Sequence, residues 1–167
     1  MKTPPPANAP TLFLLRGMPK SGRSTLATII ALGREQQVGI RPLVLSVKAY
    51  CEEAGLGPQT FDGMQTLLPV ARNWMLTRFL QQMEENVAHP EQARDVIIDD
   101  YHVRHFELKD YLDAANKGEQ RMVFNVIRCE SQFGQLEPME EVFANRLSRE
   151  FVNFGKLARR KSRDAVR

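Results

Sequence analysis

Thr11-Leu-Phe-Leu-Leu-Arg16 runs directly into Gly17-Met-Pro-Lys-Ser-Gly22-Arg23-Ser24-Thr25, and Ser24 to about Gln37 then reads as a helix. The first run is short and almost continuously apolar, as expected of a strand buried on both faces of a parallel sheet. The second fits the pattern G-x-x-x-x-G-K-[ST], except that Arg23 stands where lysine is expected. Gly17 and Gly22 let the backbone curl so that successive N–H groups converge on phosphate oxygens. The following helix turns its positive dipole end toward the same point. Arg23 keeps the charge but is bulkier and planar, and Lys20 adds a second cation inside the loop. The candidate nucleotide-binding set is Gly17, Lys20, Ser21, Gly22, Arg23, Ser24 and Thr25, with the Ser24 hydroxyl as a ligand for Mg²⁺.

Beyond the loop, strand and helix alternate. Leu43–Val47 reads as a second strand, residues 52–64 as mostly loop, and Thr66 to about Val87 as a long amphipathic helix. Its apolar positions recur every four residues at Leu67, Ala71, Met75, Phe79, Met83 and Val87. Asp95–Asp99 is a third strand, Phe106–Asn116 a helix, Met122–Ile127 a fourth strand, and Pro138 to about Phe154 a last helix. In the first of these helices, Leu26, Ile29, Ile30 and Leu32 are available for packing. The alternation predicts an α/β fold in three layers: a parallel sheet flanked by helices, with any ligand at the carboxyl ends of the strands. Asp99 and Asp100 close the third strand, so at least one carboxylate belongs at that edge. There it would hold Mg²⁺ or orient a hydroxyl nucleophile.

The 167 residues leave room for one domain: a Pro-rich lead-in over 1–10, a domain over 11–154 and a basic tail over 155–167. Hydrophobic residues at 43% and charged residues at 26% exclude fibrous and wholly disordered classes, and no apolar run is long enough to span a bilayer. The net charge of +3 is unevenly spread. Residues 146–167 carry eight Lys or Arg against two acids, and the remainder carries fifteen bases against eighteen acids. Lys156, Arg159, Arg160, Lys161 and Arg163 are candidate contacts to a nucleic-acid backbone. The opening MKTPPPANAP matches neither a secretory signal nor an Arg-rich transit peptide. With two cysteines and no CxxC spacing, an intracellular, reducing compartment is expected, nuclear or cytoplasmic. His102 and His105 have no third convergent metal ligand.

Leu14 to Thr25 resembles the LLRGLPGSGKST opening of polynucleotide-kinase-like P-loop proteins, and Val96 to Tyr111 resembles their VIVDNTN…WEMKPY block. Leu43 to Tyr50 sits where that family carries an S-x-D-D-Y motif. The likeness extends over roughly residues 11 to 150 and is strongest to kinase-like domains such as that of the YLP-motif-containing protein. It implies a P-loop NTPase fold binding ATP, or another NTP, with Mg²⁺. It also implies a general base at the position of Lys48, acceptor-site support from the block that Asp99 opens, and a lid arginine at Arg146; Tyr50 is a candidate either to stack on an acceptor base or to pack under the loop. Lysine in place of the base, Arg23 in the loop and Asp100-Tyr101-His102 in place of Asn-Thr-Asn depart from the pattern. A charged ammonium cannot accept a proton.

Two functional readings follow. One is a degenerate kinase-like protein that holds nucleotide or phosphate, with Lys20, Arg23 and Lys48 as a basic pocket. It would serve as a binding or structural module, in a ribonucleoprotein or with another protein partner. The alternative is an active ATP-dependent kinase acting on a 5′-hydroxyl of a polynucleotide or nucleotide, with Asp99 or Asp100 activating the acceptor and Arg146 stabilising transferred charge.

Overall fold

The computed structural model describes residues 9–101, 105–116 and 122–129. The apolar runs form four strands: β1 (Thr11–Gly17), β2 (Leu43–Ser46), β3 (Val96–Asp99) and β4 (Val123–Cys129). All pair in parallel, in the order β2-β3-β1-β4. The connecting helices are α1 (Arg23–Val38), α2 (Val47–Glu53), α3 (Phe61–Ala88) and α4 (His105–Asn116). The predicted three-layer α/β architecture is present, with the β1–α1 loop at the carboxyl edge of the sheet.

Side chains alternate across each strand and so build two cores. Leu12 and Leu14 of β1, Leu45 of β2 and Val96 and Ile98 of β3 meet Met75, Phe79 and Met83 of α3 and Leu108, Tyr111 and Ala115 of α4. On the opposite face Leu15 and Ile97 meet Ala27 and Ala31 of α1. Of the four residues expected to pack from α1, Leu26 and Ile30 are partly buried against this core, while Ile29 is 61% exposed and Leu32 49%. The fully buried positions of the helix are alanines, because where a helix lies closest to a sheet there is room for a methyl and little more.

Three boundaries differ from expectation. β2 stops at Ser46, whose Oγ accepts the Ala49 N–H at 3.0 Å and caps α2, so Val47 to Glu53 is helical rather than strand and loop. α3 starts at Phe61, five residues earlier than its apolar stripe suggests. There Thr60 Oγ1 accepts the Gly63 N–H at 3.2 Å, and Pro69 is carried within the helix. β4 continues through Cys129, two residues past Ile127. At the amino end of the sheet, Asp95 Oδ1 accepts the Thr11 N–H and Oδ2 accepts Arg34 Nε, each at 2.6 Å, pinning β1 and α1 to β3. Among the described residues no helix is long and apolar enough to cross a membrane. The lead-in up to residue 8, the expected helix over 138–154 and the tail over 155–167 lie outside the described residues.

The alanine stripe makes a paired prediction for equilibrium urea unfolding. Ile29→Ala is expected to change stability by less than about 1 kcal/mol. Ala31→Leu is expected to cost about 1–3 kcal/mol by overpacking against Leu15 and Ile97.

Candidate phosphate-binding site

The loop between β1 and α1 begins where a side chain has no room. A Cβ on Gly17 would meet Ser21 Oγ at 2.5 Å and the Cys129 carbonyl oxygen at 2.7 Å. The chain then turns through a Ser21 N–H bond to the Met18 carbonyl at 3.2 Å. Lys20 (φ 57°) and Gly22 (φ 83°) are left-handed, and Ser21 between them is not. Alternation of this kind is the backbone pattern of an anion-binding nest, although here the Ser21 N–H is already engaged by the Met18 carbonyl. Lys20 is the one non-glycine residue with positive φ among the described residues, and its side chain is exposed. Gly22 opens α1 with no side-chain cap and no acid in the first turn, so the helix end presents its N–H groups and positive dipole to the loop. Thr25 is exposed on that first turn.

The register of β3 with β1 sets Asp99 opposite Leu15, at the same edge as the loop. Ser24 Oγ donates to Asp99 Oδ2 at 2.6 Å, and Arg23 Nη1 lies 3.4 Å from Asp99 Oδ1. The Arg23 guanidinium stands over the Tyr101 ring, 4.5 Å from its centroid. Burial pushes the Tyr101 hydroxyl upward from its ordinary pKa, with Arg23 opposing that rise. Cys129, a free thiol beside Gly17, is likewise raised, first by burial, with Arg23 pulling down and Asp99 pushing up. Arg16, at the end of β1, is lowered to about 10 by burial and by the neighbouring Arg128 charge.

Asp100 lines the cleft beside the loop, with both carboxylate oxygens engaged. It is fully buried, its Oδ2 accepts Arg72 Nε at 2.5 Å, and its Oδ1 accepts the Tyr101 N–H at 2.7 Å. Arg72 also donates to Glu107 at 2.8 Å. Burial alone would lower the Arg72 pKa, but the two carboxylates carry it above its ordinary value. Of the two expectations for Tyr50 the packing one describes the structure: its ring lies 5.8 Å from that of Trp74 between centroids, and it is not among the residues lining the cleft beside the loop.

That cleft, about 460 Å³, is lined by Arg23, Ser24, Ser46, Lys48, Gln65 and Asp99 among others. Lys48 is 83% exposed, with Nζ 3.8 Å from Glu52. The structure therefore brings Arg23, Ser24, Lys48, Asp99 and Asp100 to one cleft, whereas Lys20 is not among its lining residues. Arg146, His102 and the basic tail lie outside the described residues.

The site suits phosphate better than it suits a metal. Arg23 Nε and Nη1, Asp99 Oδ1 and Ser21 Oγ are buried without a hydrogen-bond partner, and three of these four atoms are donors. Ser24 and Asp99 are the right donor types for Mg²⁺, but they bond to each other and the Arg23 charge already flanks the carboxylate. The expected metal role of Ser24 and Asp99 therefore does not fit this arrangement. Among the described residues no group of three or more His, Cys, Asp or Glu side chains could hold a metal ion. Sequence reasoning passed over Tyr101 as the platform for Arg23, and Arg72 as the partner of Asp100, because neither pairing has a local spacing to betray it.

No family model matches the chain, and no curated protein matches it. Among solved structures the chain is similar to a mutant of the Mycobacterium tuberculosis APS kinase CysC. The two share 15% identity over 88% of this chain and 98% of that chain, with a TM-score of 0.43.

Gly17→Ala is expected to cost about 3 kcal/mol, the upper end for overpacking, because backbone and not only a side chain obstructs the new methyl. Gly33→Ala, in α1 with nothing within 4 Å of the new Cβ, is the control. It is expected to gain about 0.5–1 kcal/mol in the same thermal or urea melts.

Proposed function

We propose that residues 17–25 hold the phosphates of a nucleotide, ATP or another NTP, and that the chain is a degenerate P-loop kinase-like binding module. The observation that carries this reading is the left-handed pair Lys20 and Gly22 at an uncapped helix N-terminus, beside Arg23 Nε and Ser21 Oγ, both buried without a hydrogen-bond partner. A phosphate oxygen is the chemical complement of that set.

Phosphoryl transfer receives less support, because the groups that would activate an acceptor hydroxyl are engaged. Asp99 accepts from Ser24 and faces Arg23, Asp100 is bound by Arg72, and Lys48 stands where the resembled family has its base. The likeness of the loop and of the Val96–Tyr111 block to polynucleotide-kinase-like proteins still favours a nucleotide as the ligand. The domain is taken to span residues 11–154. Lys156, Arg159, Arg160, Lys161 and Arg163 would supply a second phosphate contact, to a nucleic-acid backbone.

Incubation with labelled ATP and a 5′-hydroxyl oligonucleotide tests the reading. Wild type is expected to retain nucleotide without labelling the oligonucleotide. Arg23→Ala is expected to bind about 10–100-fold more weakly, the worth of a charge-assisted hydrogen bond. Label transfer that disappears in Arg23→Ala would instead establish the active kinase, and no retention by wild type would remove the nucleotide from the reading altogether.

A further inference from the structure

The positive charge that a phosphate site ordinarily borrows from a divalent ion is here built into the chain. Arg23 lies 3.4 Å from Asp99 through Nη1, and its guanidinium is stacked over Tyr101 at 4.5 Å. The Tyr101 hydroxyl in turn accepts Gln65 Nε2 at 3.4 Å, and its backbone N–H is held by Asp100. Arg23 is thus fixed on one side by a carboxylate and on another by a ring that α3 and the end of β3 both anchor. With Arg23 13% and Asp99 7% exposed, salt and solvent screen the pair only weakly.

Mg²⁺ dehydrates reluctantly and requires near-octahedral oxygen ligands at about 2.1 Å, with one or two carboxylates among them. Asp99 offers one oxygen already taken by Ser24 and another facing a fixed guanidinium. Asp100, the adjacent carboxylate, has accepted donors on both oxygens. An ion approaching Asp99 therefore meets a like charge at ion-pair distance and no second carboxylate to compensate for it. An anion meets the reverse: Arg23 Nε is buried without a hydrogen-bond partner, Nη1 has only its ion pair with Asp99, and the helix end behind them is uncapped.

We infer that Arg23 takes the place of the divalent cation, so that the loop binds nucleotide phosphates without a metal. The inference rests on the phosphate-binding reading above and adds to it that the site is independent of Mg²⁺. Lysine's ammonium is a compact, strongly hydrated point charge with no face to stack on Tyr101. The planar guanidinium can hold carboxylate and ring together.

A fluorescent ATP analogue titrated into the full chain, in MgCl₂ and separately in EDTA, tests this. For wild type the two affinities are expected to agree within about threefold. Arg23→Ala is expected to lose about tenfold or more in EDTA and to regain most of that loss in MgCl₂, because the ion can then reach Asp99. Arg23→Ala combined with Asp99→Asn is expected to be weak and insensitive to Mg²⁺. Arg23→Lys, which keeps a charge at the position, is expected to bind with an intermediate Mg²⁺ response and guards against misfolding of the alanine variant. Wild-type affinity about tenfold or more weaker in EDTA than in MgCl₂ overturns the inference and leaves the phosphate-binding reading standing. Absence of binding in both buffers overturns the two together.

Discussion

β1 is paired to β3 through Leu12–Leu15 and to β4 through Thr11–Gly17. It cannot slide by one residue without turning its apolar set to the wrong face. This double pairing sets the level at which the chain leaves the sheet. Gly17 comes against Cys129, Leu15 against Asp99, and the loop has to begin beside a carboxylate. At the other end Asp95 holds the Thr11 N–H and Arg34, so α1 is fixed at both extremities: by the turn it emerges from and by a buried carboxylate along its length. The geometry of the loop follows from the sheet more than from its own residues.

Charge placement is the second organising theme. Acids at the carboxyl edge are each answered by an arginine from a helix: Asp99 by Arg23 of α1 and Asp100 by Arg72 of α3. Burying a carboxylate without such a partner would be costly, and removing either arginine would leave an uncompensated charge. The arrangement favours a stable, preformed cleft over a reactive one. A carboxylate that activates a hydroxyl needs a free lone pair aimed at substrate, and the pairs made here leave little of that capacity.

Much of the fold was legible because parallel strands buried on both faces read as unbroken apolar runs, as Thr11–Arg16 and Val96–Ile98 do. The loop was legible because its glycines and its Ser-Thr pair fall at fixed spacing. α2 was not, since β-branched Val47 reads as a continuation of β2 and the cap at Ser46 looks the same whether a strand or a helix follows. The start of α3 was masked by Gly55, Gly57 and Pro58, which precede the true cap at Thr60. The alanine contact of α1 was hidden by the larger apolar residues beside it, which weigh more in any hydrophobic pattern although Ile29 and Leu32 face outward and only Leu26 and Ile30 reach the core. The pairings Arg72–Asp100 and Arg23–Tyr101 span tens of residues, and only tertiary structure brings them together.

The nest around Lys20 and Gly22 is made of backbone, and this bears on how the loop can evolve. A ligand held by main-chain N–H groups does not register which side chains project outward from them. Lys20 carries a left-handed backbone at a cost of about 1–2 kcal/mol, which a stable domain tolerates. Exposed Lys20 therefore has more latitude to change than Pro19, which is buried, or Gly17, which has no room for a side chain. A change at Arg23 alters the ionic character of the loop rather than its backbone shape. If the loop holds phosphate as proposed, it can lose its resemblance to kinase loops in sequence well before it loses that capacity.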